Sequence, residues 1–218
     1  MSANIRDFGH NNSVLIENEK NSDLVYLTIH GDNNRIIIKN SVLRWDGKLN
    51  IQLNAENSEL YIDEGLYVGS FGLVVCLGNR VYKAASNSCI SIGRNLSVGG
   101  LQIISYNSNT RVKIGNDVMV AWGVMIYNTD AHPIYDIETE EIINSPHEIS
   151  IANNCWLGAD SKILKNVKLL EGTIVGMGAI VTKSFHQSNV AIAGNPARIV
   201  RENVKWKAYD AKYIENEL

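Results

Sequence analysis

Residues 151–184 repeat with a period of six. Large aliphatic side chains recur at one phase of this repeat, at Ile151, Leu157, Ile163, Leu169, Val175 and Val181. Smaller side chains recur four positions later, at Cys155, Ser161, Val167, Thr173 and Ala179. A period of six matches neither the 3.6 residues of a helical turn nor the simple alternation of a strand. It predicts a solenoid in which every six residues form a short strand and a turn, with both recurring positions facing inward.

Three such sides would form one coil of about 18 residues, and stacked coils would build a three-sided column filled with aliphatic side chains. A small inward residue fits this geometry, because a sharp corner has no room for a second large side chain. Cys155 is therefore expected to fill the core where Ser, Thr, Ala or Val would also serve. The three cysteines lack CxxC spacing, which indicates neither a disulfide framework nor a thiolate zinc site.

The first half of the chain repeats the same pattern more loosely. Its copies begin with an apolar-x-apolar stretch and regain that alternation after a polar turn, as in RIIIKNSVL (35–43), LYIDEGLYV (60–68), ISIGRNLSV (90–98), VKIGNDVMV (112–120) and ISIANNCWL (149–157). From Ile38 through Ile62, Ile92 and Ile114 to Ile151, the steps are 24, 30, 22 and 37 residues. These coils must therefore carry extra loop residues.

The widest step contains a segment rich in acids, prolines and histidines, and we predict a loop extruded from the column around residues 128–148. Loops on rigid solenoids tend to carry function. We predict an all-β fold, with one β-helix domain over 1–201 that has irregular coils in 1–89 and regular coils in 90–201. The tail, 202–218, has no Gly or Pro and mixes Ala, Lys and Glu with aromatic residues, which favours a short C-terminal helix.

Composition narrows the possible partners. The chain has 218 residues, of which 45% are hydrophobic and 20% charged, the balance of an ordinary globular domain. A net charge of -3 without a basic run argues against a nucleic-acid or anionic-membrane partner. The first residues have neither a basic nor an apolar leader region, and no run reaches the roughly 18 apolar residues of a membrane span. We therefore expect a cytoplasmic protein without an integral membrane segment.

Four motifs together carry a family resemblance: NTDAHPI (128–134), CWLGADSKIL (155–164), VGMGAIVTKS (175–184) and AGNPARIVR (193–201). With the repeats, they resemble the hexapeptide-repeat acetyltransferases, particularly the maltose and galactoside O-acetyltransferases, the xenobiotic acetyltransferases and the bacterial capsule O-acetyltransferases. The resemblance implies a left-handed parallel β-helix, a homotrimer with sites between subunits, and acetyl-CoA as co-substrate without a metal. It also implies transfer of acetyl to a hydroxyl of a sugar or surface polysaccharide.

The resemblance assigns the catalytic histidine to His132 in the extruded loop. A sugar hydroxyl must lose its proton as it attacks a thioester, and an imidazole, with a reference pKa of about 6.5, is suited to accept it. If the segment is extended, Asp130 faces the same way and could orient the imidazole or contact the substrate. The other four histidines lack this context and are expected to be exposed or in turns.

Trp156 lies beside Cys155 at an outward position, where an indole does not serve the core. Its distance of 24 residues from His132 matches the capsule O-acetyltransferases that the chain resembles. Trp156 could hold the thioester through its N–H, or it could be a trimer-interface aromatic.

The resemblance also implies a set of acetyl-CoA contacts: Ala159, Met177, Thr182, Lys183, Arg198 and Arg201. The first four match positions along the pantetheine and adenosine portions, and Lys183 with the two arginines could pair with the phosphates. Met177 departs from the family pattern, which has a smaller residue there.

Other functions remain open from the residues alone. Within enzymes, the alternative is N-acetylation of a nucleotide-linked amino sugar or an antibiotic. A structural β-solenoid without activity would leave His132 and the basic positions without a role. A β-helical carbonic anhydrase needs three zinc-ligating histidines, two of them close together, whereas His132 and His147 are 15 residues apart with no third nearby.

Overall fold

The computed structural model describes residues 3–17, 22–43, 47–79, 81 and 84–208. Regular structure in these residues is β-strand apart from one 3-10 turn at Ser22–Leu24. The strands, in chain order, are β1 (Asn4–Asp7), β2 (Ser13–Ile16), β3 (Val25–His30), β4 (Arg35–Ile38), β5 (Ser41–Leu43), β6 (Leu49–Glu56), β7 (Glu59–Ile62), β8 (Leu66–Val68), β9 (Leu73–Leu77), β10 (Ala85–Ser86), β11 (Cys89–Ile92), β12 (Ser97–Val98), β13 (Leu101–Ser105), β14 (Arg111–Ile114), β15 (Met119–Val120), β16 (Val124–Tyr127), β17 (Glu148–Ile151), β18 (Trp156–Leu157), β19 (Lys162–Leu164), β20 (Lys168–Leu169), β21 (Ile174–Val175), β22 (Ile180–Val181), β23 (Ala191–Ala193) and β24 (Arg198–Arg201).

The strands form three sheets, and each winding of the chain adds one strand to each sheet in turn. The first sheet has the order β1-β3-β6-β9-β13-β16-β19-β22, with β10 beside β6. The second has the order β2-β4-β7-β11-β14-β17-β20, and the third β5-β8-β12-β15-β18-β21-β23-β24. Neighbouring strands are parallel except β23 and β24, which are antiparallel. The predicted three-sided parallel β-helix is confirmed.

The predicted inward positions form the core. Both sets of the six-residue repeat between residues 151 and 184 are at most 1% exposed, and Cys155 is fully buried among them. Burial raises the pKa of the Cys155 thiol to about 11, so this cysteine is an uncharged core group. The aliphatic column continues without a break into the first half, where Ile36, Ile62 and Ile90 are also fully buried.

Three kinds of corner join the sheets. The first corner connects the first sheet to the second, the second corner connects the second to the third, and the third corner connects the third back to the first. In the best-ordered repeats these are residues 165–167, 152–155 and 158–161. At the first corner, one residue in most coils has a left-handed backbone conformation. Its φ lies between 50° and 63°, and these residues are Asn11, Asn33, Asn57, Asn87, Asn109 and Asn166. Asparagine tolerates this conformation better than most residues, which explains why the sequence is rich in it.

A ladder of polar side chains ties successive coils together inside the first corner. Asn34 is 2% exposed and donates from its amide to the carbonyl of Ala55 at 2.6 Å. Its side-chain oxygen accepts from the backbone amide of Ser58 at 3.1 Å. The Ser58 hydroxyl in turn accepts from the amide of Ser88, whose own hydroxyl accepts from the amide of Thr110. The ladder keeps the corner residues of adjacent coils aligned.

Replacing Asn34 with alanine is expected to lower the free energy of unfolding by about 1–3 kcal/mol, because it leaves a buried carbonyl and a buried amide unpaired. Urea-induced unfolding followed by circular dichroism measures the change. The matched control is Asn33→Gly, which removes an exposed neighbouring side chain at a position of φ 57° that glycine adopts freely. Equal losses for the two variants would contradict a stabilising role for the ladder.

Two segments leave the column. The predicted loop emerges between β16 and β17 and contains one antiparallel bridge, between Tyr135 and Ile142. After β24, residues 202–208 form no helix; residues 209–218 lie outside the described residues, so a helix there stays a prediction. Within the described ranges, no helix is long and apolar enough to cross a membrane.

Candidate active site

The extruded loop starts at the first corner, directly after β16. Asn128 and Thr129 are buried there, and the Thr129 hydroxyl donates to the side chain of Asn107 at 2.7 Å. Ala131 then takes a left-handed conformation with φ 61°, and its amide donates to the Thr129 hydroxyl. The segment is therefore not extended between Asp130 and His132. Asp130 and His132 therefore do not share a face in the way that an extended segment would arrange them.

Asp130 fixes the loop to the column. Its carboxylate accepts from the Lys165 ammonium at 2.5 Å and from the Asn144 side chain at 2.8 Å. Burial raises the pKa of Asp130, but the hydrogen bonds from Lys165 and Asn144 outweigh it and hold the pKa below its usual value. The carboxylate is therefore charged at neutral pH. Since Lys165 belongs to the next coil, the ion pair joins the loop to the first corner above it.

His132 is exposed beside a pocket of about 230 Å³. Asn144 holds the backbone that follows it, donating to the His132 carbonyl at 3.0 Å and accepting from the amide of Ile134 at 2.8 Å. The pocket is also lined by Asn107 and Ile142. This arrangement presents an imidazole to solvent from a loop whose backbone is fixed by one amide side chain, an arrangement suited to proton transfer with an incoming hydroxyl.

Trp156 lies on a different side of the prism. It belongs to β18 in the third sheet, in register with Met119 below it and Ile174 above it. The third sheet is the side that does not meet the first corner, from which the loop carrying His132 emerges. One chain therefore does not bring His132 and Trp156 together.

The tail crosses this sheet edge and contacts Trp156. The Trp206 indole N–H donates to the carbonyl of Asn154 at 2.6 Å, and its ring centroid lies 6.3 Å from that of Trp156 at an angle of 48°. The sequence identified Trp206 only as part of a possible helix. Its packing against the predicted site residue was not foreseen.

The residues predicted to contact acetyl-CoA lie at separate places on the column. Ala159 is buried at the third corner, where its carbonyl accepts from the amide of Gly178 at 2.8 Å, and Met177 beside it is 71% exposed. Arg198 starts β24 opposite Ala193, at the same end of the third sheet, whereas Arg201 lies opposite Ala191 at the other end. Thr182 and Lys183 are exposed directly after β22, on the far side of the first sheet.

Sequence reasoning missed three side chains that build the loop site: Asn107, Asn144 and Lys165. The repeat places Lys165 at the first corner, one coil above the loop, but it does not show that Lys165 pairs with Asp130. Asn107 and Asn144 carry no comparable signal. In the part of the chain that the structure describes, no group of three or more His, Cys, Asp or Glu side chains could hold a metal ion.

Known proteins were compared with this sequence and fold. No protein-family model matches the chain. A polysialic acid O-acetyltransferase of Neisseria meningitidis is 35% identical over 198 residues, covering 91% of this chain and 86% of the relative. The crystal structure of NeuO, a polysialic-acid-specific acetyltransferase, matches this fold with a TM-score of 0.80 and 28% sequence identity. The match covers 96% of this chain and 84% of the NeuO chain. That of the polysialic acid O-acetyltransferase OatWY matches with a TM-score of 0.61 at 30% identity, covering 98% and 96% of the two chains.

These matches extend over nearly the whole chain, including the irregular first half, where the sequence repeat is weakest. The match to NeuO confirms the prediction that the β-helix is left-handed. Identity of this extent also confirms the resemblance drawn from the four motifs. The chain therefore belongs to the hexapeptide-repeat O-acetyltransferases and is an acyltransferase.

Proposed function

We propose that the chain transfers an acetyl group from acetyl-CoA to a hydroxyl of a sugar, in particular of a surface polysaccharide. The observation that carries this proposal is the 35% identity to a polysialic acid O-acetyltransferase over 91% of the chain. The exposed imidazole of His132, on a loop fixed by Asp130 and Asn144, supplies a group with the chemistry that such a transfer needs.

In the proposed reaction His132 is the general base. Its imidazole takes the proton of the acceptor hydroxyl as the oxygen attacks the thioester carbonyl. A carbon–oxygen bond forms, the carbon–sulfur bond breaks, and the proton on the imidazole passes to the departing sulfur. No covalent enzyme intermediate is required. Asp130 is charged and held by Lys165, so its contribution in this scheme is to keep the loop in place.

The acetyl-CoA site is proposed at the third corner. Ala159 offers a small side chain and Met177 an exposed one, and a side chain added at Gly158 would lie 2.8 Å from the Met177 amide. Glycine at 158 therefore lets adjacent coils approach closely at this corner, along which we place the extended pantetheine arm. Arg198, at the same end of the third sheet, is positioned to pair with a phosphate group.

The distribution of outward side chains supports a trimer. Apolar groups lie on the outer face of the first sheet in β13, β16 and β19, including Ile104, Met125 and Leu164, and on that of the third sheet, including Met119, Trp156 and Ile174. The second sheet instead presents charged groups, including Arg35, Arg111, Lys113, Glu148 and Lys168. We propose that the part of the first sheet from β13 onward packs against the third sheet of the next subunit, which leaves the outer face of β1, β3 and β6 open. We propose that in such a closed ring the loop that carries His132, which leaves the first corner beside the first sheet, reaches Trp156 on the third sheet of the neighbouring subunit.

The proposal is tested by incubating the purified protein with acetyl-CoA and polysialic acid. We expect release of the CoA thiol together with acetyl groups on the polymer, and these groups should be removed by mild alkali, because esters are labile where amides are not. Acetyl groups that resist alkali would indicate N-acetylation instead. Thiol release that does not depend on a glycan would overturn the proposal.

A further inference from the structure

A second concavity lies in the first half of the chain, in the coils that precede the loop. It has a volume of about 680 Å³ and lies on the outer face of the first sheet, beside the first corner. The side chains that define it come from successive coils: Arg6 and Phe8, His30, Gln52, Asn54, and Tyr106. The repeat alone explains none of these outward groups, because the core needs only the inward ones.

One wall of this concavity is aromatic. The rings of Phe8 and His30 stack with centroids 4.7 Å apart and an interplanar angle of 4°, and Phe8 is 63% exposed. His30 was expected to be exposed or in a turn, but it ends β3 half-buried. Its Nε2 is buried and has no hydrogen-bond partner among the described residues. A buried polar atom without a partner is unfavourable and is satisfied when a ligand or water binds.

The remaining lining is polar and carries positive charge. Gln52 and Asn54 offer amide groups, Tyr106 offers a hydroxyl, and Arg6 offers a guanidinium. Among the described residues, the lining includes no aspartate or glutamate. An exposed aromatic face with a few amides and hydroxyls suits a sugar ring, which has an apolar face and a polar rim. The arginine favours a sugar that carries a carboxylate.

The concavity and the pocket of the loop approach each other at one place. Tyr106 lines the first, and its neighbour Asn107 lines the pocket beside His132. Phe8 belongs to the first coil and His132 to the sixth, so the two are separated by five coil steps, about 24 Å at the spacing of parallel strands. A polymer lying along the first corner would reach both.

We propose that this concavity is a distal subsite for an anionic polysaccharide acceptor, holding sugar units that lie several residues away from the one at His132. The inference rests on the proposed function and deepens it, since it makes the enzyme selective for long acceptors. Binding there fixes the polymer without touching the reacting atoms. It therefore lowers KM for long chains and leaves turnover unchanged.

The test compares Phe8→Ala and Arg6→Gln with the wild type on two acceptors, long polysialic acid and a sialic acid disaccharide. We expect each variant to raise KM for the polymer about tenfold, equivalent to about 1.4 kcal/mol of binding. Its kcat for the polymer and both constants for the disaccharide should stay unchanged. The matched control is Leu15→Ala, which removes a 48% exposed apolar side chain from the same coil on the second sheet.

Calorimetric titration of polysialic acid without acetyl-CoA tests the subsite independently of turnover. Weaker polymer binding by Phe8→Ala than by Leu15→Ala supports the subsite even if no acetyl transfer is found, in which case only the proposed function fails. Equal binding by the two variants would overturn the subsite. Equal loss of activity on both acceptors would also overturn the subsite. So would dissociation of the variants in light scattering, because the concavity would then be a contact between subunits.

Discussion

His132→Ala is expected to lower turnover by about two to four orders of magnitude, the usual contribution of a positioned general base. Without the imidazole, the acceptor hydroxyl has no group on the loop to take its proton as the thioester is attacked. Binding of CoA should survive, because the proposed CoA contacts lie at the third corner and around β24. Steady-state thiol release and calorimetric titration with CoA measure the two effects separately.

The control for this variant is His147→Ala. His147 is an exposed histidine at the end of the same loop, and its backbone amide donates to Asn166 without using the imidazole. Its loss is expected to leave turnover within about twofold, as for a surface substitution. Turnover that survives in His132→Ala would remove the proposed base while leaving the fold unaffected.

A second large effect is expected when two inactive variants are combined. Trp156→Ala and His132→Ala should each have little activity alone. If one subunit supplies the histidine and the next supplies the tryptophan, a trimer containing both variants rebuilds some complete sites. In a heterologous ring each mixed trimer contains one complete site out of three, so purified mixed trimers should recover about one third of the wild-type activity. Co-expression with two different affinity tags, followed by sequential purification, isolates the mixed trimers for assay.

The matching control combines His132→Ala with His132→Gln, which cannot rebuild a site in any arrangement. Activity in the first mixture but not in the second would establish a shared site. If both mixtures show only the average of their parents, then Trp156 does not act across a subunit boundary, and its outward position serves packing.

The column itself could be predicted from the sequence. The six-residue phase between residues 151 and 184 gave the buried positions correctly, because every inward side chain must fit the same narrow interior. Cys155 is an example, since its position in the repeat predicted its burial without any information on its surroundings. The repeat constrains only the inward residues. It therefore could not predict that the outward rings of Phe8 and His30 stack on each other.

The loop was only partly predictable, for a physical reason. Its position followed from the excess length between Ile114 and Ile151, and His132 from the resemblance of NTDAHPI to a family motif. Its conformation depends on Ala131, a residue type that rarely adopts a positive φ, and on Lys165, which lies 35 residues from Asp130. Contacts of this kind leave no periodic trace in the sequence.

The reversal of the chain at β24 has a consequence for the protein in a crowded cell. A solenoid of parallel strands ends in an open row of backbone amides and carbonyls, which could recruit the beginning of another copy and grow into a fibre. On the third sheet this row is occupied by β24, which runs antiparallel to β23 and carries Arg198 and Arg201. The outermost described strand of that sheet is therefore reversed and carries two arginines, which disfavours the parallel addition of another copy.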